Sequence, residues 1–432
     1  MTSEDSSQNS ESISNGDCSL SESFVSLEDI KQARVRIEDT INHTPVDTSR
    51  TFAALSGAAS VGLKLETFQR TGSFKIRGAY NKMAQLTHEE RQAGVITSSA
   101  GNHAQGVALA GSILDIDTTI IVPEVTPAAK IEATEQYGAD VIVEGDIYER
   151  SYEYAVELAE ETGQVFVHPF NDTEIIAGQG TIGLELLEQY PNIDTVLVAV
   201  GGGGLISGIG TVLKSRGNDI RVIGVQPEGA AHAKPSLDRG EIIELEEVDT
   251  IAEGIADTRM LDKTFATARK VVDDVITVTD RQLSVAVTLL AERENIVVEA
   301  AGAAPLAAGI SDTTTIELSN QNVGIVISGG NVNLTEHAEL TQTGLYELGR
   351  YGDVRLSVTN WPEAVTDVVE RINSAGASLD VIERARRKAS DHPNEIPITV
   401  GIEASGPEHL NSVLNELSRL KNVSVLEQSI KL

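Results

Sequence analysis

A single lysine stands among small residues in the segment 71–80, which reads Thr-Gly-Ser-Phe-Lys-Ile-Arg-Gly-Ala-Tyr. The pattern predicts that Lys75 lies in the first turn of a helix that runs on through Met83. A helix N-terminus or an apolar pocket disfavours the ammonium form and lowers the pKa of a lysine. A neutral lysine amine forms a Schiff base with a carbonyl group, which makes Lys75 a candidate nucleophile. Taken alone, Lys75 fits better among the many solvated lysines found at helix starts.

Three further segments place glycines or small polar residues at the ends of apolar runs. Asn102 follows the run 94–96 through a loop of small residues, and Ser328 ends the run 324–327. The tetraglycine 201–204 separates the apolar run 195–200 from a helical pattern. Free backbone N–H groups in such loops hold carboxylates and phosphates. Singly, Asn102 and Ser328 fit ordinary turn residues better than ligand-binding residues.

The tetraglycine has a second interpretation, which is a flexible linker. A linker is rarely flanked directly by a hydrophobic strand and a helix, so an anion-binding loop is the better prediction. The segment does not match the spacing of a dinucleotide-binding fingerprint, and the chain has no GxxxxGK[ST] motif.

Together and in this order, the four segments resemble the pyridoxal-phosphate enzymes of fold type II, the tryptophan-synthase-β fold type. The resemblance covers roughly residues 27–340 and is strongest to the threonine dehydratase (threonine ammonia-lyase) branch. It implies pyridoxal 5'-phosphate as the cofactor and an amino acid as the small-molecule substrate. It also implies that Lys75 is the Schiff-base lysine, that Phe74 packs beside the cofactor, and that Asn102 hydrogen-bonds the ring hydroxyl.

The resemblance assigns the remaining site residues by position. Ser328 would face the pyridine nitrogen, and its neutral hydroxyl makes the ring a weaker electron sink, which suits elimination better than transamination. The phosphate would be cradled by the backbone N–H groups of Gly201, Gly202, Gly203, Gly204 and Leu205. The loop that receives the substrate carboxylate would consist of Ser98, Ser99 and Ala100.

The implied reaction is an α,β-elimination that converts L-threonine to 2-oxobutanoate and ammonia. Lys75 would remove the α-proton, and the β-hydroxyl would leave with a proton that the family assigns to the cofactor phosphate. L-Serine would give pyruvate by the same route. The expected role is the first step of isoleucine biosynthesis.

Two positions depart from the serine racemases of this fold type. Racemases carry a serine before the Gly-Asn of the carboxylate loop as a second acid/base, whereas this chain has Ala100, which argues against racemisation. Racemases also bind a divalent cation through two acidic side chains, and the matching positions here are Gln226 and His232. We therefore predict no specific metal. His103 fits a structural group better than a catalyst.

Three alternatives remain open. One is a catabolic threonine/serine dehydratase, which shares every residue named above. Another is a different fold-type-II enzyme such as threonine synthase, although no second glycine-rich anion loop is evident for a phosphorylated substrate. The third is a non-catalytic amino-acid-sensing protein, which would not need Lys75.

The rest of the chain indicates an α/β fold with parallel sheets in two catalytic subdomains. Strands and helices alternate from Val95 onward, which favours a sheet covered on both faces. The strands are predicted at Thr118–Val122, Val141–Val143, Val165–Val167, Thr195–Val200 and Arg221–Val225, and two of the helices at Thr126–Tyr137 and Ile147–Thr162. Ser26 is predicted to cap the first helix together with Asp29.

We predict three regions: a disordered acidic tail at 1–24, a pyridoxal-phosphate catalytic domain at 25–345 and a C-terminal domain at 352–432. The last follows the order βαββαβ of a ferredoxin-like module. It resembles an ACT domain, which implies regulation by an amino-acid effector or a role in dimerisation alone. Glu363 follows Asn360-Trp361-Pro362 where such modules often carry a glycine, so effector binding there is an open question.

Composition limits the partners of the chain. Its 432 residues carry 65 acidic and 33 basic side chains, a net charge of −32, which makes nucleic-acid binding improbable. The excess runs along the whole chain and suggests a halophilic protein, adapted to concentrated salt. The single cysteine, Cys18, allows no disulfide within the chain. Without a long apolar run we expect no membrane insertion and a cytoplasmic location. The resemblance to the family implies a homodimer or homotetramer.

Overall fold

The computed structural model describes residues 25–217, 219–314, 316–389 and 391–429. The predicted disorder of segment 1–24, with Cys18, lies outside these residues. The first described helix, α1 (Leu27–Ile37), begins at the predicted cap. The Ser26 hydroxyl accepts a hydrogen bond from the Asp29 N–H at 3.2 Å, and the Asp29 carboxylate accepts one from the Ser26 N–H at 2.8 Å. This reciprocal pair satisfies two backbone donors that the helix leaves open.

Two largely parallel sheets occupy the chain up to Ile327. Their strands are β1 (Val46–Thr48), β2 (Ser60–Leu65), β3 (Val95–Ser98), β4 (Thr118–Val122), β5 (Asp140–Val143), β6 (Val165–Phe166), β7 (Thr195–Ala199), β8 (Arg221–Pro227), β9 (Asp274–Val278) and β10 (Asn322–Ile327). The larger sheet has the order β1-β2-β10-β7-β8-β9 and the smaller one β5-β4-β3-β6. Only the β1–β2 pair among these described strands is antiparallel. The predicted strands are confirmed within two residues at each end.

Helices cover the sheets on both faces. Up to the end of the parallel region they are α2 (Arg50–Ser56), α3 (Lys75–Met83), α4 (His88–Ala93), α5 (Asn102–Leu114), α6 (Ala128–Glu135), α7 (Tyr148–Thr162), α8 (Thr173–Gln189), α9 (Gly204–Lys214), α10 (Ala233–Arg239), α11 (Asp262–Val271), α12 (Asp280–Glu294) and α13 (Ala300–Ile310). Alternate residues of β7 enter different cores: Val196 and Val198 pack with residues of α8 and α9, and Leu197 packs with residues of α12 and α13. The larger sheet is therefore the middle layer of three, as the alternation predicts.

The C-terminal part forms a separate antiparallel sheet. After α14 (Leu334–Glu347) come β11 (Tyr351–Val358), α15 (Glu363–Ser374), β12 (Ser378–Arg384), β13 (Ile396–Glu403), α16 (Pro407–Leu417) and β14 (Val423–Ser429). The strand order is β12-β13-β11-β14, and the predicted βαββαβ succession is confirmed. Val354, Leu356 and Val358 point into a core of their own against both helices. This part is tied to α12 by an ion pair between Arg350 and Glu292 at 2.6 Å.

In the part of the chain that the structure describes, no helix combines the length and the apolar character needed to cross a bilayer. The described helices are instead amphipathic or buried between layers of the fold. For example, α7 buries Ser151, Ala155 and Ala159 on one side. The other side of α7 exposes a row of glutamates.

Candidate active site

A cavity of about 630 Å³ lies between the two parallel sheets. It is bordered by the loops that leave the carboxyl ends of β3, β7 and β10, where ligands bind in sheets of this kind. The predicted residues that line it are Phe74, Lys75, Ser99, Ala100, Asn102, Gly201, Gly202, Gly203, Gly204, Leu205 and Ser328. Segments far apart in the sequence therefore meet around one space.

Lys75 is the first residue of α3, as its sequence pattern predicts. Its Nζ lies 3.1 Å from the carbonyl oxygen of Pro169 and 5.3 Å from the centre of the Phe74 ring. Burial lowers the pKa of Lys75, and the carboxylates of Asp257 and Glu299 oppose that effect only in part. The site therefore favours the neutral, nucleophilic amine more than water does.

The turn before Lys75 is attached to the end of β10. The Phe74 N–H donates to the Ser328 carbonyl oxygen at 3.1 Å, and Ser73 pairs with Gly329 as an isolated antiparallel bridge. These bonds hold the lysine turn and the Ser328 loop in a fixed relation. Ser328 itself is 4% exposed.

Close packing of α3 on α8 fixes the other side of the lysine helix. A Cβ added to Gly178 would lie 2.6 Å from the Arg77 carbonyl oxygen, and one added to Gly78 would lie 2.8 Å from the Ile175 carbonyl oxygen. Neither distance is compatible with a larger residue unless the helices separate. Glycine is required at this crossing because the two backbones approach so closely.

The loop after β3 presents the N-terminus of α5 to the cavity. Ser99, Ala100 and Gly101 precede the first helical residue, Asn102, and the Gly101 N–H donates to the Ser99 hydroxyl at 3.2 Å. The free N–H groups of a helix N-terminus favour a carboxylate at this place. Ser98 differs from the prediction in its placement: its side chain is fully buried at the end of β3 and does not line the cavity.

The amide of Asn102 is held from both ends. Its Nδ2 donates to Glu299 Oε1 at 2.8 Å, and its Oδ1 accepts from Asn331 Nδ2 at 2.7 Å. Asn331 Nδ2 also donates to the Thr71 carbonyl oxygen at 2.6 Å. The amide orientation is thereby determined, with one N–H of Asn102 left for a group in the cavity.

Sequence reasoning missed Glu299. It is the cap residue of α13 and lines the cavity. A signal was present, because Glu299 is the only charged residue between Ile296 and Ile310. An isolated acid in a run of small and apolar residues is costly to bury without a partner, and here the partner is Asn102.

Burial raises the pKa of Glu299 to about 7, against the lowering effect of its hydrogen bond from Asn102. The folded protein therefore holds a proton at Glu299 that the unfolded chain releases between about pH 4.5 and 7. The protonated Glu299 carboxyl therefore contributes to the free energy of unfolding at low pH, and this contribution is lost as the pH rises through 7.

We expect Glu299→Gln to abolish this loss. Between pH 5 and pH 8, the free energy of unfolding of the wild type should fall by on the order of 2 kcal/mol more than that of the variant. Urea unfolding of both proteins at the two pH values measures the difference. An equal pH dependence in the two proteins would show that Glu299 is ionised throughout. Glu153→Gln, which removes an exposed carboxylate on α7 outside the cavity, is the matched control.

The glycine loop joins β7 to α9 and supplies a ready place for an anion. Gly203 has φ of +88°, a conformation open mainly to glycine, and α9 begins at Gly204. A Cβ on Gly202 would lie 2.4 Å from the Phe170 ring. The backbone N–H groups at this helix start are suited to a phosphate.

Unsatisfied polar atoms nearby support a ligand in the cavity. The side-chain nitrogens His103 Nδ1 and Gln179 Nε2 are buried without a hydrogen-bond partner in the structure, and both residues line the cavity. With the glycine cradle and the Lys75 amine, the residues present fit a phosphorylated carbonyl cofactor. His103 Nε2 contacts the Val167 carbonyl oxygen at 3.0 Å, and burial lowers the His103 pKa to about 3, so the ring is neutral.

Gln226 and His232, the positions compared with a racemase metal site, hydrogen-bond to each other. Gln226 Nε2 lies 3.1 Å from His232 Nε2, and Gln226 Oε1 accepts from the Ala233 N–H at 2.7 Å. Both side chains are fully buried, and burial lowers the pKa of His232 to about 4. Within the described residues, no group of three or more His, Cys, Asp or Glu side chains is arranged to hold a metal ion.

Comparison with known proteins identifies the family. Residues 37–329 match the family model "Pyridoxal-phosphate dependent enzyme". The chain is 42% identical to an L-threonine ammonia-lyase of Thermotoga maritima over 82% of this chain and 88% of that protein. It is 38% identical to an L-threonine ammonia-lyase of Geobacter sulfurreducens over 90% and 96%.

A solved structure of a related enzyme also matches the fold of this chain. Maize serine racemase superposes with a TM-score of 0.70 at 38% identity, covering 74% of this chain and 98% of that chain. The chain belongs to the pyridoxal-phosphate-dependent enzymes of fold type II, in the group that contains the L-threonine ammonia-lyases.

Proposed function

We propose that this enzyme deaminates L-threonine to 2-oxobutanoate and ammonia, and L-serine to pyruvate as a side activity. One observation carries the proposal: Lys75, Asn102, the glycine loop and Ser328 line a single cavity in a chain related to L-threonine ammonia-lyases. None of these features alone distinguishes an enzyme from a binding protein. A non-catalytic sensor of amino acids has no need for a lysine with a lowered pKa in the binding cavity.

The residues present indicate how the cofactor would be held. The N–H groups of the loop 201–205 would bind its phosphate, Asn102 would donate to its ring hydroxyl, and Ser328 would face its ring nitrogen. When bound, the cofactor supplies an electron sink that stabilises negative charge at the substrate α-carbon. Because Ser328 is neutral, it does not enforce protonation of the ring nitrogen, which favours elimination over transamination.

The chain itself binds and orients the substrate. The N-terminus of α5, with Ser99 and Ala100, would receive the substrate carboxylate, so that the α-hydrogen is presented to Lys75. Lys75 Nζ is placed to take this proton, and the lowered pKa of its amine favours the neutral form that a base requires. Loss of the β-hydroxyl then gives an enamine product that hydrolyses to the keto acid and ammonia.

Racemisation is the competing reaction that the likeness to maize serine racemase raises. It requires a second proton donor on the face of the substrate opposite to the lysine. The corresponding loop position is Ala100, whose side chain has no exchangeable proton. We therefore assign elimination, and not racemisation, to this cavity.

The substrate assignment is tested by incubating the cofactor-loaded protein with L-threonine, L-serine and O-phospho-L-homoserine. Keto acid, ammonia and the chirality of the remaining amino acid are measured in each reaction. We expect 2-oxobutanoate from threonine, less pyruvate from serine and no D-serine. Threonine formed from the phosphorylated substrate would identify a threonine synthase instead, and D-serine would identify a racemase.

The C-terminal domain is proposed to be an ACT-like module. The predicted effector loop contains Trp361, which is half-exposed, and Glu363, whose carboxylate accepts a hydrogen bond from Asn360 Nδ2 at 2.5 Å. The alignment to the G. sulfurreducens relative spans 388 residues and so extends well into this domain. We propose that it regulates or dimerises a cytoplasmic homodimer or homotetramer in isoleucine biosynthesis; a catabolic role would use the same chemistry.

The acidic surface leads to a prediction on salt. Glu153, Glu157, Glu160 and Glu161 are exposed along α7, within a chain of net charge −32. Their repulsion is screened as the Debye length falls from about 10 Å at 0.1 M to about 3 Å at 1 M salt. We expect the unfolding temperature to rise between 0.1 M and 2 M KCl. Sucrose at equal osmolality is the uncharged control, and equal effects of the two solutes would contradict a halophilic adaptation.

A further inference from the structure

A histidine that has not yet been given a role holds the turn that contacts Lys75. The Pro169 carbonyl oxygen, which lies 3.1 Å from Lys75 Nζ, belongs to the turn 168–171 between β6 and α8. Within this turn the backbone N–H groups of Phe170 and Asn171 both donate to His168 Nδ1, at 3.2 Å and 3.0 Å. The His168 side chain therefore fixes the conformation of the turn.

The contact with Lys75 and the contact with His168 are made by the same peptide unit. The Pro169 carbonyl and the Phe170 N–H belong to one peptide group, which is planar and trans, so its C=O and N–H point in opposite directions. The N–H is bound by His168 Nδ1, and the C=O faces Lys75 Nζ. A rotation that breaks the bond to His168 also turns the carbonyl oxygen away from Lys75.

Only one form of the His168 ring can make these bonds. A backbone N–H can only donate, so Nδ1 must be the unprotonated nitrogen and the ring must be neutral. Burial lowers the pKa of His168 to about 4, against the charge of Asp172, and the charges of Lys75 and Lys263 also lower it. The acceptor at Nδ1 is therefore present at neutral pH.

The far end of the turn is attached to the larger sheet region. Asn171 Oδ1 accepts from the N–H groups of Lys263 and Thr264 at 3.1 Å and 3.3 Å, at the start of α11. Asn171 Nδ2 donates to Asp262 Oδ1 at 2.7 Å. With its end held in this way, the turn has one peptide unit whose direction depends on His168, and that unit faces Lys75.

We propose that His168 is a positioning residue for Lys75, because it orients the carbonyl group that holds the lysine amine. The inference rests on the proposed deamination of threonine and identifies the group that aims its base. The bond to the Pro169 oxygen restricts rotation of the amine about its last side-chain bond. The lone pair of the neutral amine is then held in one direction, as proton transfer from the substrate α-carbon requires.

Two substitutions separate the acceptor of His168 from its ring. The ring packs edge to face on Phe170, with centroids 4.8 Å apart, and on Tyr152 and Phe166 at 6.0 Å and 6.2 Å. His168→Phe keeps an aromatic ring in these contacts and loses the acceptor. His168→Asn loses the ring, but an asparagine side chain accepts from the backbone N–H two residues on, as His168 does here.

The first measurement is turnover of L-threonine, with hydrogen or deuterium at the α-carbon, by the cofactor-loaded proteins. We expect His168→Phe to lower kcat by about 10²-fold with KM within about threefold, since a misplacement of about 1 Å costs that much in rate. The isotope effect on kcat should be at least as large as in the wild type, because the slowed step is proton transfer to Lys75. His168→Asn should keep kcat within about fivefold of the wild type, because it restores the acceptor.

The second measurement does not depend on elimination. L-Alanine has no leaving group, so the exchange of its α-hydrogen for deuterium in D2O reports proton transfer by Lys75 alone. The exchange should slow in His168→Phe and persist in His168→Asn. Absorbance titration of the cofactor-free proteins should give both variants a cofactor affinity close to that of the wild type. His88→Phe, at an exposed histidine on α4, is the matched control.

The outcomes separate this role from the proposed function. Wild-type kcat in His168→Phe, an equal loss in both variants, or a loss whose isotope effect falls towards one would each overturn the role of His168. If His168→Phe does not fold, His168→Gln replaces it, because its acceptor lies one methylene group further out. A wild type that exchanges the α-hydrogen of L-alanine but forms no 2-oxobutanoate from threonine would overturn the proposed function, and the exchange rates of the variants would still decide the role of His168.

Discussion

Replacement of Lys75 by alanine is expected to lower threonine deamination by about 10³-fold or more, because base and nucleophile are lost together. The Nζ of this residue is held 3.1 Å from the Pro169 carbonyl oxygen, inside the cavity that the proposed cofactor and substrate residues line. Lys75 is half-buried at the start of α3, and its removal leaves the backbone bonds of the lysine turn in place. The variant should therefore fold and bind the cofactor noncovalently.

Three readouts test this prediction: keto-acid formation, the absorbance of the bound cofactor, and the unfolding temperature. Lys234→Ala is the control, since Lys234 is an exposed lysine paired with Asp274 on the surface. Substantial deamination by Lys75→Ala would mean that another group performs the chemistry. Loss of activity together with loss of the fold would leave Lys75 a structural residue.

The second large effect is on stability and concerns Arg77, two residues further along α3. Its guanidinium donates two hydrogen bonds of 2.8 Å to Glu66 and one of 2.6 Å to Glu185 Oε1, and Lys64 Nζ bonds Glu185 Oε2 at 2.5 Å. All four side chains are buried. Arg77→Met leaves Glu66 without its cation in the interior and should cost about 3–5 kcal/mol.

Arg34→Met provides the comparison on the surface. Arg34 pairs with Glu188, but both side chains are partly exposed, and such a pair is worth about 0–1 kcal/mol. Urea unfolding of the two variants measures both costs. If the two substitutions cost the same, the buried cluster does not support the lysine helix as described.

The cluster also contributes to sensitivity to acid. Burial opposes the charge of Glu185, yet Arg77 and Lys64 outweigh burial and hold the pKa of Glu185 below its ordinary value. A carboxylate with a lowered pKa in the folded state adds stability above its unfolded pKa. That contribution is lost as the pH falls through the folded pKa.

The local motifs of the site could be predicted from the sequence, because each lies in one short segment. The Lys75 turn, the small residues before Asn102 and the tetraglycine were recognisable from residue types and from the runs beside them. Parallel strands bring their carboxyl ends together, so the meeting of these loops followed from the alternation of strands and helices. The βαββαβ order of the C-terminal part was predictable because each of its strands and helices is marked by its own local hydrophobic pattern.

What the sequence did not reveal depends on contacts between distant residues. Glu299 and Asp257 are single acids without a surrounding motif, and the residues that they lie against, Asn102 and Gly201, are far away in the chain. The partners of Arg77 lie 11 and 108 residues away. For Ser98 the segment was identified from the sequence, but the position of the side chain was not. Its burial depends on how β3 packs against its neighbours.

The most direct test of the account is to reduce the cofactor-loaded protein with borohydride and to map the modified peptide by mass spectrometry. Borohydride fixes a Schiff base as a stable amine, so the position of the pyridoxyl group identifies the lysine that carries the cofactor. The account predicts a single modified residue, Lys75, and protection of that lysine when L-threonine is added before reduction. A pyridoxyl group on another lysine, or no modification in protein that retains the cofactor, would contradict it.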